Sequence, residues 1–291
     1  MVHMSSVEVF ENQRPYLFSV AYRMLGSVVD AEDCLQDAFL RWRKADTAQV
    51  MSPRSFLVTV VTRLCIDRLR AQKSSREEYI GPWLPEPVLT DSSTAGDQSE
   101  LSESLSIAFL VLLESLSPVE RAVYLMREIF RYEYAEIADV IEKSESNTRR
   151  IFSRSKQHLE TRQPRFSVEP TTHQQVFDEF MSACQSGDLQ QLVTLLADDV
   201  VLYSDGGGKV AAARRPILGP DNVSRLLLGI LKKAPPEFEF TVASVNGRPG
   251  VVAGMPEWTQ SVMTADIVDG KVQNLYVISN PDKLVNVDRQ Q

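Results

Sequence analysis

The stretch that most constrains the fold runs from Tyr134 to Leu159. Tyr134, Ile137, Ala138 and Ile141 recur at i, i+3, i+4 and i+7, which is one buried face of a short helix. Glu142 and Lys143 make a turn. Ser144 is placed to cap a second helix, with Glu145 in the first turn, where the helix dipole favours a carboxylate. In that second helix Thr148, Ile151, Phe152, Ser155 and Leu159 fall on one side. Ser146, Arg150, Ser153 and Gln157 fall opposite, with Arg149 and Arg154 on the flanks. Two short helices, a tight turn and an outward basic face are what a helix-turn-helix needs to enter a DNA major groove. A surface helix pair with solvated arginines would not require turn, cap and basic face to agree.

A net charge of −8 over 291 residues sits badly with DNA binding until it is divided along the chain. Residues 54–76 carry +5 and residues 118–165 carry +2. Between them, residues 77–117 hold eight acids and no Lys or Arg; residues 166–291 carry −5 and residues 1–53 carry −2. Two basic segments are therefore separated by a wholly acidic one, an asymmetry typical of nucleic-acid binders. The length suits two or three domains. No apolar run approaches the ~20 residues of a membrane span, so no membrane association is expected. Cys34, Cys65 and Cys184 are odd in number and widely spaced, which points to reduced thiols in a cytoplasmic protein. With three histidines and no clustered cysteines, neither a metal site nor a cofactor is expected.

Upstream, Val7 to Leu25 reads as a helix with Phe10, Leu17, Phe18, Ala21 and Leu25 inward, broken at Gly26-Ser27. Asp30 can cap the next helix, in which Cys34, Leu35, Ala38, Phe39 and Trp42 turn inward. Asp33, Gln36, Asp37 and Leu40 form its mostly acidic outer strip. Ser52-Pro53 starts a third helix with cap and N1 proline in place. It ends near Gln72-Lys73, and Arg63, Arg68, Arg70, Lys73 and Arg76 crowd its second half.

These residues carry a resemblance. Asp30-Ala-Glu-Asp33, Gln36-Asp37, Pro53-Arg54 and Asp67-Arg68-Leu69-Arg70 look like region two of a bacterial RNA polymerase sigma factor of the extracytoplasmic-function type. Leu116-Ser117-Pro118 through Glu136-Ile137-Ala138 to Arg154 resembles region four of the same family, so the likeness covers about residues 7–160. Two positions depart from the pattern: the family usually has glycine where Glu142 stands and an aliphatic residue where Thr148 stands. The resemblance implies that Asp33, Gln36, Asp37 and Leu40 dock a coiled coil of the polymerase β′ subunit. It further implies that Arg63, Arg68, Arg70 and Lys73 contact the minus-ten element, arginines and lysines that suit a phosphate channel. Ser146, Arg149, Arg150, Ser153 and Arg154 would read the minus-thirty-five element. The partners are then core polymerase and promoter DNA, and the chain itself is not an enzyme.

Between the two regions, Ile80-Gly-Pro-Trp-Leu-Pro-Glu-Pro87 is followed by a polar stretch, and its prolines favour an extended chain. A helix resumes near Glu100 with Leu101, Leu105, Phe109, Leu112 and Leu116 as its stripe. Trp83 is odd in a mere tether; Trp83-Leu84-Pro85 is better placed to dock in a groove on the chain's own C-terminal part. After Pro164 come helices at His173–Ser186 and from Gly187-Asp188 through Ala197. Strands are expected at Val200–Tyr203, Lys209–Arg214, Phe238–Val245, Val251–Gly254, Trp258–Ile267 and Lys271–Ile278, with a helix after Gly219 ending near Lys233. Helices followed by a curved antiparallel sheet resemble the SnoaL-like, nuclear-transport-factor-like cone. Joined to the sigma-like core, Asp205-Gly206-Gly207-Gly208-Lys209 and Asn280-Pro281-Asp282-Lys283-Leu284 resemble the sigma J-like family, in which the fused domain stands in for a separate anti-sigma protein.

The implied fold is multidomain: two all-α sigma domains, the second with the helix-turn-helix, followed by an α+β SnoaL-like cone. The boundaries are residues 1–76 for region two, 77–99 for the acidic linker, 100–165 for region four and 166–291 for the cone. That cone also hosts isomerases, for which Tyr203, Asp205 and Asp266 are candidates by residue type only, and it leaves room for an unidentified small-molecule ligand. A one-component helix-turn-helix regulator with a ligand-sensing C-terminal domain is the alternative reading, and the region-two likeness of residues 30–73 argues against it.

Overall fold

The computed structural model describes residues 5–46, 50–90, 104–161, 170–255 and 258–288. They form two compact units: one helical, from residues up to 77 together with 112–162, and one mixed, from 78–111 together with 163 onward.

In the helical unit α1 (Ser6–Leu25) begins on a capping box between Ser5 and Glu8 and ends on Gly26 at φ +65°. The N-cap of α2 (Val28–Lys44) is Ser27, whose hydroxyl accepts from the Asp30 amide, not Asp30 itself. Asp30 is thereby released for an ion pair. α3 (Pro53–Glu77) runs about a turn past the expected end because Arg76 is held by Glu114 and by the Leu25 carbonyl. Leu17, Leu25, Leu35, Trp42, Leu57 and Val61 form the shared core of these three helices. All three cysteines are free and buried.

The helix expected from Glu100 to Leu116 is shorter at its described end. Its start lies outside the described residues; α4 (Ile107–Leu113) stops where Ser117, with Glu120, builds a capping box ahead of Pro118 and opens α5 (Pro118–Tyr124). A π-helical turn, Leu125–Ile129, leads to α6 (Tyr134–Ile141). Glu142 takes the left-handed conformation at φ +54°, Ser144 caps as expected, and α7 (Glu145–Glu160) follows. Thr148, Ser155 and Leu159 are buried on the inward side of α7.

In the mixed unit α8 (Pro170–Ser186) and α9 (Leu189–Leu195) lead into β1 (Leu196–Asp205). The strand expected at Lys209–Arg214 is absent among the described residues. Lys209 and Val210 both bond back to the Gly206 carbonyl, which turns the chain, and only β2 (Ile217–Leu218) pairs with β1. α10 (Pro220–Leu231), β3 (Glu239–Val245), β4 (Arg248–Met255), β5 (Trp258–Val268), β6 (Lys271–Ile278) and α11 (Pro281–Asp288) complete the unit. The sheet order is β2-β1-β6-β5-β4-β3. It is mixed rather than wholly antiparallel, because the last strand inserts beside the first and runs parallel to it. The arrangement is the α+β, nuclear-transport-factor-like one.

Side chains alternate between the two faces of this sheet. On one face Val251, Ala253 and Leu275 pack against Phe177 and Phe180 of α8, Leu192 of α9 and Leu227 of α10. On the other, Val252, Val262, Tyr276 and Ile278 pack against Leu84, Ile107, Ala108 and against Leu284 and Val287 of α11. A segment from before α5 in sequence therefore roofs half of the C-terminal sheet.

Candidate nucleic-acid interface and linker clamp

Ser146, Arg149, Arg150, Ser153 and Arg154 all lie exposed on one side of α7, as the helical spacing requires. Thr148, where an aliphatic residue is usual, is fully buried and satisfies its hydroxyl on the Ser144 carbonyl at 3.1 Å. Arg149 is fixed before any ligand arrives. Its Nη2 lies 2.5 Å from the Glu145 carboxylate, and its guanidinium is 4.2 Å from the Tyr134 ring centroid. Arg127 sits 4.6 Å from the same ring. Tyr134, read from the sequence as a core residue, is half-buried and serves as a platform for two arginines.

On α2, Gln36, Asp37 and Leu40 are exposed in one strip, Leu40 by 51%. Asp33 is different. Its carboxylate takes Arg68 Nη2 at 2.9 Å, and the same nitrogen lies 2.6 Å from Asp30, which also accepts from Gln72 at 2.7 Å. Burial alone would lower the Arg68 guanidinium, but the two carboxylates outweigh it and raise it. Asp33 and Arg68, assigned by resemblance to polymerase and to DNA, thus hold each other. Arg70 pairs with Asp67 at 3.3 Å, and Lys73 is exposed. Arg63 reaches the carboxyl end of α6: Nε donates to the Val140 carbonyl and Nη2 to that of Asp139, each at 2.8 Å, while Nη1 lies 2.9 Å from Glu142.

The linker motif and the two C-terminal motifs meet at one point. Asp205, at the end of β1, is fully buried. Its carboxylate accepts from Tyr79 Oη at 2.6 Å, the Leu84 amide at 2.8 Å, the Gly207 amide at 3.0 Å and Lys283 Nζ at 2.7 Å. Lys283 also donates to the Leu84 carbonyl, and its ammonium stands 4.1 Å from the Trp83 ring centroid. Asn280 Nδ2 donates to the Tyr79 hydroxyl at 2.8 Å, and Asn280 Oδ1 caps α11 by accepting from Asp282. Burial and the adjoining Asp205 carboxylate keep the Tyr79 hydroxyl well above its usual value, so it remains a donor. Gly207, at φ +58°, is needed because a Cβ there would meet the Asn280 amide. Lys209 pairs with Asp282 across the mouth at 2.5 Å, Leu284 is buried under Leu84, and Pro281 starts α11. Pro85 is buried beside Leu84, and Gly206 packs tightly against Ala212 and Val210.

The clamp continues where no motif pointed. Asn246 exchanges hydrogen bonds with Val88, donating its amide to the Val88 carbonyl at 2.8 Å and accepting from the Val88 amide at 2.9 Å. Its Nδ2 donates to Leu105. Thr90 bonds Ser244. Neither Asn246 nor Tyr79 stands out in the sequence, Tyr79 lying within the linker. Of the isomerase candidates, Asp205 is saturated by the clamp. Tyr203 stacks on Tyr276 at 5.5 Å between centroids, and Asp266 lies on β5 with Asn274 as its donor at 3.3 Å.

Among the described residues no helix is long and apolar enough to cross a membrane. Residues 9–75 match Sigma-70 region 2, and residues 106–159 match Sigma-70, region 4. The chain is 37% identical to the ECF RNA polymerase sigma factor SigJ of Mycobacterium tuberculosis, over 95% of this chain and 92% of that protein. It is 30% identical to the probable ECF RNA polymerase sigma factor SigI of the same organism, over 93% and 92%. The crystal structure of M. tuberculosis SigJ superposes with a TM-score of 0.77 at 35% identity, covering 96% of this chain and 98% of that one.

Proposed function

The chain belongs to the extracytoplasmic-function RNA polymerase sigma factors, non-enzymatic initiation factors that bind core polymerase and direct it to promoters, and we propose that its C-terminal domain regulates that activity by gripping the linker. The observation that carries this reading is Asp205. A buried carboxylate that takes the Tyr79 hydroxyl, the Leu84 amide and Lys283 is spent on holding residues 79–84, not on chemistry. The Trp83 ring over Lys283 and Leu84 in the second sheet face add apolar area to the same grip. Leu84 alone contributes about 1.5–3 kcal/mol by its burial. Because the grip is intramolecular, its effective concentration is on the order of millimolar, and the linker is held most of the time.

A sigma factor's linker sets how far apart its promoter-reading parts can lie. Gripping it sets that spacing. Polymerase docking is assigned to the exposed strip Gln36, Asp37 and Leu40 with Asp33 at its edge, against the β′ coiled coil. Reading of the upstream element is assigned to the outward face of α7. The test is reconstituted transcription with core polymerase, comparing the full chain with Asp205→Ala, Trp83→Ala and a truncation after residue 165. All three changes should move promoter-directed output in the same direction. Equal output from all four proteins would mean the C-terminal domain plays no regulatory part.

A further inference from the structure

Within the helical unit two arginines are exchanged between the region-2 and region-4 segments, each onto the carboxyl end of a helix in the other. Arg121 of α5, almost wholly buried, donates to the Met24 carbonyl at the end of α1 at 2.8 Å and pairs with Glu114 at 2.8 Å. Arg63 of α3 takes the carbonyls of Asp139 and Val140 at the end of α6, with Glu142 closing the third side. The last carbonyls of a helix have no partner within it and carry the negative end of its dipole, so a guanidinium there is doubly favoured. Each nitrogen of Arg63 is occupied.

Glu142 makes the arrangement more than a chance surface contact. It stands at φ +54°, a conformation that strains any residue but glycine, at the position where a helix-turn-helix needs only a turn. A glycine would serve the turn better and could not reach Arg63. A glutamate in this strained backbone conformation is explained by the contact its carboxylate makes with Arg63 at 2.9 Å.

We infer that the carboxyl end of α6 is a docking site for region 2, occupied by Arg63, and that promoter DNA and region 4 compete for this arginine. While Arg63 is bound to α6 it cannot serve a phosphate, and the two regions are held side by side. Release of Arg63 makes its guanidinium available to a phosphate and lets the regions part. The docking itself is independent of the linker grip; only its consequence rests on the assignment of Arg63 to promoter contact.

The experiment measures distances in the free full-length chain by spin labels at Ala71→Cys and Gln157→Cys, both exposed, the native thiols being buried. The unmodified latch should give one short-distance population. Glu142→Gly should raise the separated fraction about threefold, the size of an exposed ion pair. Arg63→Ala should raise it about tenfold, as three charge-assisted contacts are lost. The charge exchange Arg63→Glu with Glu142→Arg should not restore closure fully, since the carbonyls need a cation. A distance distribution unchanged by either single substitution overturns the docking site, as does a free chain already separated. If the distances respond but Arg63→Ala leaves promoter affinity as in the wild type, the docking stands and the assignment of Arg63 to DNA falls.

Discussion

Asp205 and Lys283 are a buried ion pair whose remaining valences are filled by Tyr79, the Leu84 backbone and the Trp83 ring. Breaking such a pair from one side strands a charge, at about 3–5 kcal/mol. Lys283→Met should therefore lower the stability of the mixed unit by that amount and expose residues 79–84 to limited proteolysis, while leaving α1–α3 protected in hydrogen exchange. On α7, Arg150→Ala should cost about 1–3 kcal/mol of promoter binding and relax discrimination at one base position, if Arg150 reads a base. A loss equal across promoter variants would make it a phosphate contact. Tyr134→Leu should act on Arg149 in the same assay, and Tyr134→Phe should not.

Two buried groups of the mixed unit titrate with opposite sign. His173 is pushed down from 6.5 to about 4 by burial, with Arg248 adding to it. Between those values the unfolded chain binds a proton the fold excludes, so stability rises with pH. Asp266 is raised from 3.8 to about 6 by burial, which Asn274 and Arg248 only partly offset. There the fold keeps a proton the unfolded chain has lost, so stability falls as pH rises. Relative to wild type, His173→Gln should leave a curve that falls between pH 4 and 6, and Asp266→Asn one that rises, each by about 3 kcal/mol at full extent. Hydrogen exchange of β5 and β6 amides in the full chain would read both. Of all these partnerships, those within one helix are legible in the sequence. Arg63 with Glu142, or Tyr79 with Asp205, are not, because no periodicity joins residues so far apart in the chain.

At the scale of elements, α2 carries the clearest prediction. Asp37 and Gln36 flank exposed Leu40 with no protein partner needed to explain their placement. Asp37→Arg should weaken holoenzyme formation by roughly 10³-fold, since like charge across an interface costs several kcal/mol. A normal core-binding titration of a folded mutant would move the docking face elsewhere. Most helices and strands are legible because their caps and alternation are local: Ser144, Ser52-Pro53 and the break at Gly26 each declare themselves. Where elements depart from what their own residues suggest, the reasons lie elsewhere in the chain. Val210 to Ala213 has strand composition, yet the Gly206 turn and the Lys209–Asp282 pair remove it from the sheet. Asp30 looks like a cap but is drawn to Arg68, and α3 is prolonged by Arg76 reaching Glu114. Burial alone would raise the Glu114 carboxyl, and the Arg121 and Arg76 guanidiniums hold it lowered instead.

At the scale of the molecule, a polymerase-binding part and a DNA-reading part are joined through a segment that also belongs to the C-terminal fold. The residues of the linker clamp are legible as separate motifs, but the roof is not, since Leu89, Ile107 and Ala108 show no pattern tying them to the strands they cover.

That roof bears on how such a protein is inherited and rebuilt. A regulatory domain is ordinarily pictured as a portable cassette, cut at the end of one fold and grafted to the next. Here the cassette begins at residue 78, is interrupted after residue 111 by most of region 4, and resumes at residue 163. A gene segment starting at 163 would encode a sheet whose second face, with Val252, Val262, Tyr276 and Ile278, keeps only Leu284 and Val287 of α11 as cover and loses Leu84, Ile107 and Ala108. It should express as an aggregating product, and the same segment preceded by residues 78–111 should be monodisperse. Grafted onto another sigma factor, the domain would have to bring its own linker with it. Host and regulator would then exchange as one interleaved unit or not at all.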